Sequence, residues 1–272
     1  MASGESTVII ASGGVDRTYI IHVPPSYAGA EQVPLVVLFH GFSMGARLML
    51  DVTEFGALSD TEGFIVVSLQ GAGDPPRWGG LPPVAGTPDL PFVKDVLGKL
   101  KRELCINPDR VFAAGYSNGG GMAQLVACEM SDTFASAGVV DATYGNCRGH
   151  APLIAFHGTG DPIVPFDGGD NPPARGGGTF PPVRRSVSEW AVSLGCDGLA
   201  TIARTTPSVE LSTYHNCTAG DGDALLYAVV GGGHTWPGAS LELPPGLVGI
   251  TTHEIKATEL MWQFFLAHPL AH

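Results

Sequence analysis

Two short stretches carry the same chemical pattern. Residues 41–45 read Gly-Phe-Ser-Met-Gly and residues 115–119 read Gly-Tyr-Ser-Asn-Gly, so both fit G-x-S-x-G, the signature of a nucleophilic serine on a tight strand-to-helix turn. With 38 Gly in 272 residues the pattern recurs easily by chance, so context must choose. Ser117 follows the apolar run Arg110–Tyr116 and precedes a stretch able to open a helix. Its neighbours Ala113, Gly115, Gly119, Gly121 and Ala123 are all small, as a turn with backbones in close contact requires. A helix N-terminus there also favours developing negative charge.

Ser43 also follows a strand, but Met44 and Arg47 crowd it. The dipeptide His40-Gly41 before it suggests a different task. A loop after an early central strand can lend one backbone N–H to an oxyanion, with Phe42 as donor; the second N–H would come from Asn118, beside the nucleophile. Ser117 is therefore the expected nucleophile.

A serine needs a base, and the base an orienting carboxylate. His234 stands in Gly231-Gly-Gly-His-Thr-Trp-Pro-Gly, just past the apolar run Leu225–Val230, and His253 is its rival at the opening of the last helical pattern. His268 and His272 fall in a terminal tail expected to be mobile. Asp161 ends a strand-and-glycine turn, Pro152-Leu-Ile-Ala-Phe-His-Gly-Thr-Gly-Asp, and Asp141 ends the preceding apolar run as the alternative acid. Trp236, Trp78 and His40 are candidate substrate contacts, with Trp236 and Phe42 flanking the reacting carbonyl. Residues 167–182 form either a rim loop or a loose connection. A histidine base works unprotonated, so activity should fall in acid.

The elements that must hold these groups are legible as apolar runs. Thr7–Ala11 and Thr18–Val23 suggest a hairpin. Pro34–His40, Phe64–Leu69, Arg110–Gly115, Ala137–Ala142, Pro152–His157 and Leu225–Val230 suggest strands buried on both faces. Val93, Val96, Leu97, Leu100 and Leu104 make one helical stripe; further helices are expected after Ser117, over Arg184–Leu194 and over His253–Leu266. Alternation of this kind predicts an α/β fold with a mainly parallel sheet and helices on both faces, whose ligands bind at the carboxyl ends of the strands. With no repeat and no long linker, residues 1–272 are expected to form one catalytic domain.

Composition sets outer bounds. The apolar fraction is 44% and the charged fraction 15%, a globular composition, and the net charge of −12 disfavours nucleic acid as a partner. No apolar run approaches the length of a bilayer span, so no membrane partner is expected. Cys105, Cys128, Cys147, Cys196 and Cys217 lack metal-site spacing, so no metal cluster is expected, and acyl transfer through a serine needs no organic cofactor. Two disulfides and one free thiol would suit an exported protein; the N-terminus has no signal-peptide pattern, which leaves a cytoplasmic protein as the minority reading. Cys196 and Cys217 flank one extended segment and are the preferred pair.

Four motifs in order, His40-Gly-Phe, Gly115-Tyr-Ser-Asn-Gly-Gly, His157-Gly-Thr-Gly-Asp-Pro-Ile-Val-Pro-Phe and Gly232-Gly-His-Thr-Trp-Pro-Gly, resemble the polyhydroxybutyrate-depolymerase-like and feruloyl esterases of carbohydrate esterase family 1. The resemblance runs from about Arg17 to Pro269. It implies an α/β-hydrolase fold, Ser117 as nucleophile, Asp161 as acid and His234 as base. It also implies an ester substrate: a plant cell-wall feruloyl ester, with a polyester or acetylated xylan as alternatives. The chain departs from the family at Phe42-Ser-Met, where members often carry Gly or Cys.

Overall fold

The computed structural model describes residues 3–79, 88–142, 151–170, 179–218 and 223–270. The chain opens with the hairpin β1 (Gly4–Ser12) and β2 (Val15–Val23), joined by Gly13-Gly14 at φ 60° and 80°, the left-handed pair that a two-residue hairpin turn needs. Then follow β3 (Val33–Phe39), α1 (Gly45–Thr53), α2 (Phe55–Glu62), β4 (Ile65–Leu69), α3 (Asp89–Glu103), β5 (Ile106–Tyr116), α4 (Asn118–Glu129), β6 (Ser136–Val140) and β7 (Leu153–Gly158). The two-residue strands β8 (Gly169–Asp170) and β9 (Thr179–Phe180) precede α5 (Val183–Ser193), β10 (Thr201–Thr206), β11 (Val209–Thr213), β12 (Ala224–Val229), α6 (Pro245–Val248) and α7 (Ala257–Ala267).

Ten strands form one sheet in the order β1-β2-β4-β3-β5-β6-β7-β12-β11-β10. The six from β4 to β12 run parallel, and the outer strands on each side are antiparallel. The chain passes from β3 outward to β4, then returns to β5 on the other side of β3. That reversal opens a crevice at the carboxyl ends of β3 and β5, where a sheet of this topology binds ligands.

Period-two alternation explains why the central strands read as unbroken apolar runs. Leu35, Val37 and Phe39 enter one core with α3, α4 and α5, whereas Val36 and Leu38 enter the other with α1, α2 and α7. In the second core Phe112 of β5 stacks on Phe265 at 4.8 Å and meets the edge of Trp262.

The structure differs from expectation in four places. β5 begins at Ile106, ahead of Arg110. The back-to-back helices α1 and α2 were not anticipated; Glu54, at φ 55°, ends one and starts the other, so no glycine or proline marks the break. The extended segment expected between Cys196 and Cys217 is the β10–β11 hairpin, and the expected disulfide joins those two cysteines near its base. Strand β10 is exposed along nearly its whole length, so it shows no alternating apolar signal. Finally, the tail is anchored: His268 stacks on Phe264 at 4.0 Å, and Leu270 N–H bonds the Asp109 carbonyl. Cys128 is also disulfide-bonded and Cys105 is free, while Cys147 and His272 lie outside the described residues. Among the described residues no helix is long and apolar enough to cross a membrane.

The Phe112–Phe265–Trp262 stack makes a direct test of the second core. Phe112→Ala should lower unfolding free energy by about 3–5 kcal/mol in urea titration, the usual loss for a buried aromatic; a loss below about 1 kcal/mol would mean that this core is not packed as described.

Candidate active site

Ser117 is the single residue between β5 and α4, at φ 54° and ψ −122°. Such a backbone costs a non-glycine residue on the order of 1–3 kcal/mol and persists only where the surroundings fix it. Here they do. Ser117 N–H bonds Val140 O of β6 at 2.9 Å, and its carbonyl accepts from Gly121. The neighbouring glycines allow backbones to touch: a Cβ on Gly115 would lie 2.1 Å from Gly119 O, and one on Gly119 would lie 2.0 Å from Phe39 O. Ser117 is partly exposed while the start of α4 is buried.

The loop after β3 passes against this corner. A Cβ on Gly41 would be 3.5 Å from Ser117 Cβ and 3.3 Å from the Tyr116 ring. Met44 N–H bonds Gly41 O, with Ser43 at φ 64°, so residues 41–44 form a tight turn with the left-handed residue third. Ser43 N–H is bonded to Pro76 O. Among the described residues nothing accepts from the Phe42 N–H, and the Phe42 ring is 45% exposed. The first G-x-S-x-G is thus a turn, not a strand–helix corner.

At the ends of β7 and β12, His234 Nδ1 lies 2.7 Å from Asp161 Oδ2. Asp161 Oδ1 accepts from the Ile163 and Val164 amides at 2.7 and 2.9 Å. Burial alone would raise the Asp161 carboxyl, but the facing His234 and His157 outweigh it and hold the group below the usual carboxylate range. The Tyr116 hydroxyl donates to His234 O at 2.6 Å and the two rings lie 5.2 Å apart, which sets the imidazole against the residue preceding Ser117. The His234 N–H bonds Val248 O. His253 instead pairs with Glu242 at the surface, well before α7 begins at Ala257.

Asp141 is fully buried beside this pair, at φ 52°, with Oδ2 3.9 Å from His234 Nδ1. Its Oδ1 accepts from Gly158 N–H at 3.1 Å, and Oδ2 has no hydrogen-bond partner. Burial, and then the Asp161 charge, push its carboxyl well above the usual range against the opposing pull of the Gly158 and Thr235 amides. His157 donates toward Val164 O at 2.9 Å. Asp141, His157 and Asp161 bring one donor atom each within 4.8 Å of one another. Asp161 is already satisfied by two amides and an imidazole, so the cluster is tied together by hydrogen bonds.

The three expected substrate contacts need correction. His40 is wholly buried; its Nδ1 bonds Gly41 O at 2.7 Å and its Nε2 accepts from Gly71 N–H at 2.9 Å. Burial lowers its pKa despite the Gly41 bond and the Asp89 charge, which suits a neutral ring fastening the loop. Trp78 is also wholly buried: Nε1–H bonds His40 O and its backbone N–H bonds Asn118 Oδ1, both at 2.8 Å. It clamps the two loops together without reaching solvent. Trp236, 2% exposed, packs edge-on to Phe55 and Tyr116 and bonds Thr258 Oγ1. Its free edge lines a cavity of about 240 Å³ with residues of α1, α2 and α7, on the helix-covered side. The clamp by Trp78 was missed because an indole in a proline-rich loop carries no sign of what it bonds. Of residues 167–182, residues 171–178 lie outside the described residues.

A strand–Ser–helix corner, a neighbouring glycine turn and an Asp–His pair at the carboxyl ends of one parallel sheet define an α/β-hydrolase. The acetyl xylan esterase from Aspergillus awamori superposes with a TM-score of 0.64 at 16% identity, over 85% of this chain and 94% of that one, a likeness of fold. Residues 17–156, just over half of the chain, match the family described as "Esterase PHB depolymerase", and the chain belongs to that family. Feruloyl esterase B of Piromyces equi is 28% identical over 80% of this chain, which spans only 42% of that protein's length. The putative esterase NocK of Nocardia uniformis subsp. tsuyamanensis is 28% identical over 95% of this chain and 81% of its own length.

Two outcomes test the site's construction. Trp78→Phe keeps the ring but removes the bond to His40 O, and should lower kcat about tenfold on ester substrates with little change in melting temperature; an unchanged kcat would show that the clamp does not set the loop. Asp141→Asn can still accept from Gly158 N–H. A carboxyl whose folded pKa is raised stabilises the fold below its unfolded pKa, about 3.9, and loses that contribution as pH rises. The Asn variant should therefore melt above wild type at pH 8 and level with it near pH 4; the opposite order at pH 8 would mean that Asp141 is ionised.

Proposed function

We propose that the protein is a serine carboxylic ester hydrolase, most specifically a feruloyl esterase, working through an acyl-enzyme. The observation that carries the reading is Ser117 held at a left-handed corner between β5 and α4, with the Asp161-bound His234 against the adjacent Tyr116. His234 takes the Ser117 proton through Nε2 as Oγ attacks the ester carbonyl. Asp161 holds the opposite nitrogen and stabilises the imidazolium. The Phe42 and Asn118 backbone N–H groups receive the oxyanion, each worth about 3–4 kcal/mol in the transition state. Collapse expels the alcohol, protonated by His234; water then attacks the acyl-enzyme by the same path in reverse and releases the acid. These steps need no metal or organic cofactor.

The substrate class is supported by the relatives and by the rim. Feruloyl esterase B is a named relative, and the exposed Phe42 ring lies on the loop beside Ser117. Leu247 and Ile250, also exposed, lie on the segment that hydrogen-bonds the Gly233 and His234 amides. Exposed apolar side chains on these segments are the kind of surface that an aromatic acyl group would pack against. Poly(3-hydroxybutyrate) and acetylated xylan are the alternative esters, and the two disulfide-bonded regions favour an extracellular setting.

Initial rates on methyl ferulate, a 3-hydroxybutyrate trimer and p-nitrophenyl acetate test both levels. The wild type should prefer the ferulate, and Ser117→Ala should lose at least about 10⁴-fold on all three. Preference for the trimer would make the protein a polyester hydrolase, and an active Ser117→Ala variant would remove the serine assignment altogether.

A further inference from the structure

We propose that Asp141 is a second acid held in reserve, able to take over the orientation of His234 when Asp161 is lost. The inference rests on the serine-esterase reading and concerns a residue that reading does not use. Asp141 closes β6 and Asp161 follows β7, so adjacent strands deliver one carboxyl each to the same imidazole nitrogen. Asp161 holds it at 2.7 Å, and Asp141 Oδ2 stops 3.9 Å away with no partner of its own. A wholly buried carboxyl oxygen without a hydrogen bond is costly, and structures seldom keep one without a use. Its sibling Oδ1 is pinned by Gly158 N–H, and the Asp141 N–H by Phe156 O, so the group is fixed in direction and aimed into the cluster.

The groups facing Asp141 explain why it is idle in the wild type. Asp161 from the loop after β7 supplies a negative charge. Tyr116 at the end of β5 is neutral, its hydroxyl pushed well above the usual range chiefly by burial. His157 at the end of β7 and His234 complete the shell. While Asp161 is ionised, a second charge in the same dry space is unfavourable, and Asp141 keeps its proton. Removing the Asp161 charge reverses that balance. Asp141 then releases its proton to solvent, and its carboxylate takes the His234 Nδ1–H. The Ser117 proton still moves to His234 Nε2, so the transfer balances with Asp141 as the counter-ion.

A double-mutant cycle tests this. Asp161→Asn retains an acceptor for the Ile163 and Val164 amides; Asp161→Ser carries the same comparison should the Asn variant fail to fold. Asp161→Asn should lose on the order of 10- to 100-fold in kcat/KM, and Asp161→Asn with Asp141→Asn about 10⁴-fold, as where no acid remains. The residual rate of the single variant should rise with pH as Asp141 ionises, a limb that the double variant lacks. An equal cost of Asp141→Asn in both backgrounds, or an Asp161→Asn profile without the added limb, would overturn the proposal. Ser117→Ala, inactive in each background, separates that failure from failure of the esterase reading.

Discussion

The approach of the first turn of α4 to the backbone of β3 is the constraint on which the site depends. A single methyl at Gly119 would enter the Phe39 and His40 carbonyls, and one at Gly115 would enter Gly119. Only backbones in direct contact can bring a residue in a left-handed conformation to the top of β5 and at the same time bring the β3 loop within van der Waals reach of it. The cost of the Ser117 conformation is offset by the bond to Val140 O and by the two cores that fix β5 and β6. The geometry of this corner is a consequence of sheet packing, not of the loop residues alone.

A second fastening secures the loop after β3. The loop spanning His40–Gly45 is tied to the segment after β4 by Ser43 N–H to Pro76 O, Gly71 N–H to His40 Nε2 and Trp78 Nε1–H to His40 O. Ala46 N–H bonds Gln70 Oε1 at the start of α1. Gly79 N–H bonds Asp89, which in turn pairs with Arg17 at 2.8 Å. Buried ion pairs are weak sources of stability but strong sources of geometry, because breaking one side leaves a charge stranded. The contacts from Arg17 through Asp89 to Gly79, and from the adjacent Trp78 to Asn118 and His40, therefore hold the loop after β3 against the start of α4.

Much of this was legible in the sequence because the relevant signals are steric and local. Small residues around Ser117 mark the close contact of backbones, unbroken apolar runs mark strands buried on both faces, and the order Ser, Asp, His fixes which strand ends meet. What the sequence hid has equally physical reasons. The helices α1 and α2 meet at Glu54, which adopts a conformation usually signalled by glycine. Strand β10 lies at an exposed edge, where nothing imposes a buried face. His40, Trp78 and Trp236 are polar or aromatic residues at loop ends, where binding and internal fastening use the same residue types; only the positions of their hydrogen-bond partners separate the two uses. Phe42, expected both to lend its N–H and to flank the carbonyl, carries an exposed side chain.

The two carboxyls around His234 show how one cluster can divide labour without any difference in residue type. Asp161 receives two backbone amides and the His234 imidazole, with His157 facing it at 3.4 Å, so ionisation is stabilised despite burial. Asp141 is wholly buried and sits beside that charge, so its carboxyl is pushed well above the usual range although the Gly158 and Thr235 amides oppose the shift. Environment alone drives the two carboxyls in opposite directions, as it does wherever two like groups share a low-dielectric site. It follows that the assignment is a property of the pair. Any change that adds a donor to Asp141 or removes one from Asp161 moves the charge between strands β6 and β7, while the imidazole they both face remains anchored through its backbone to Tyr116 and Val248.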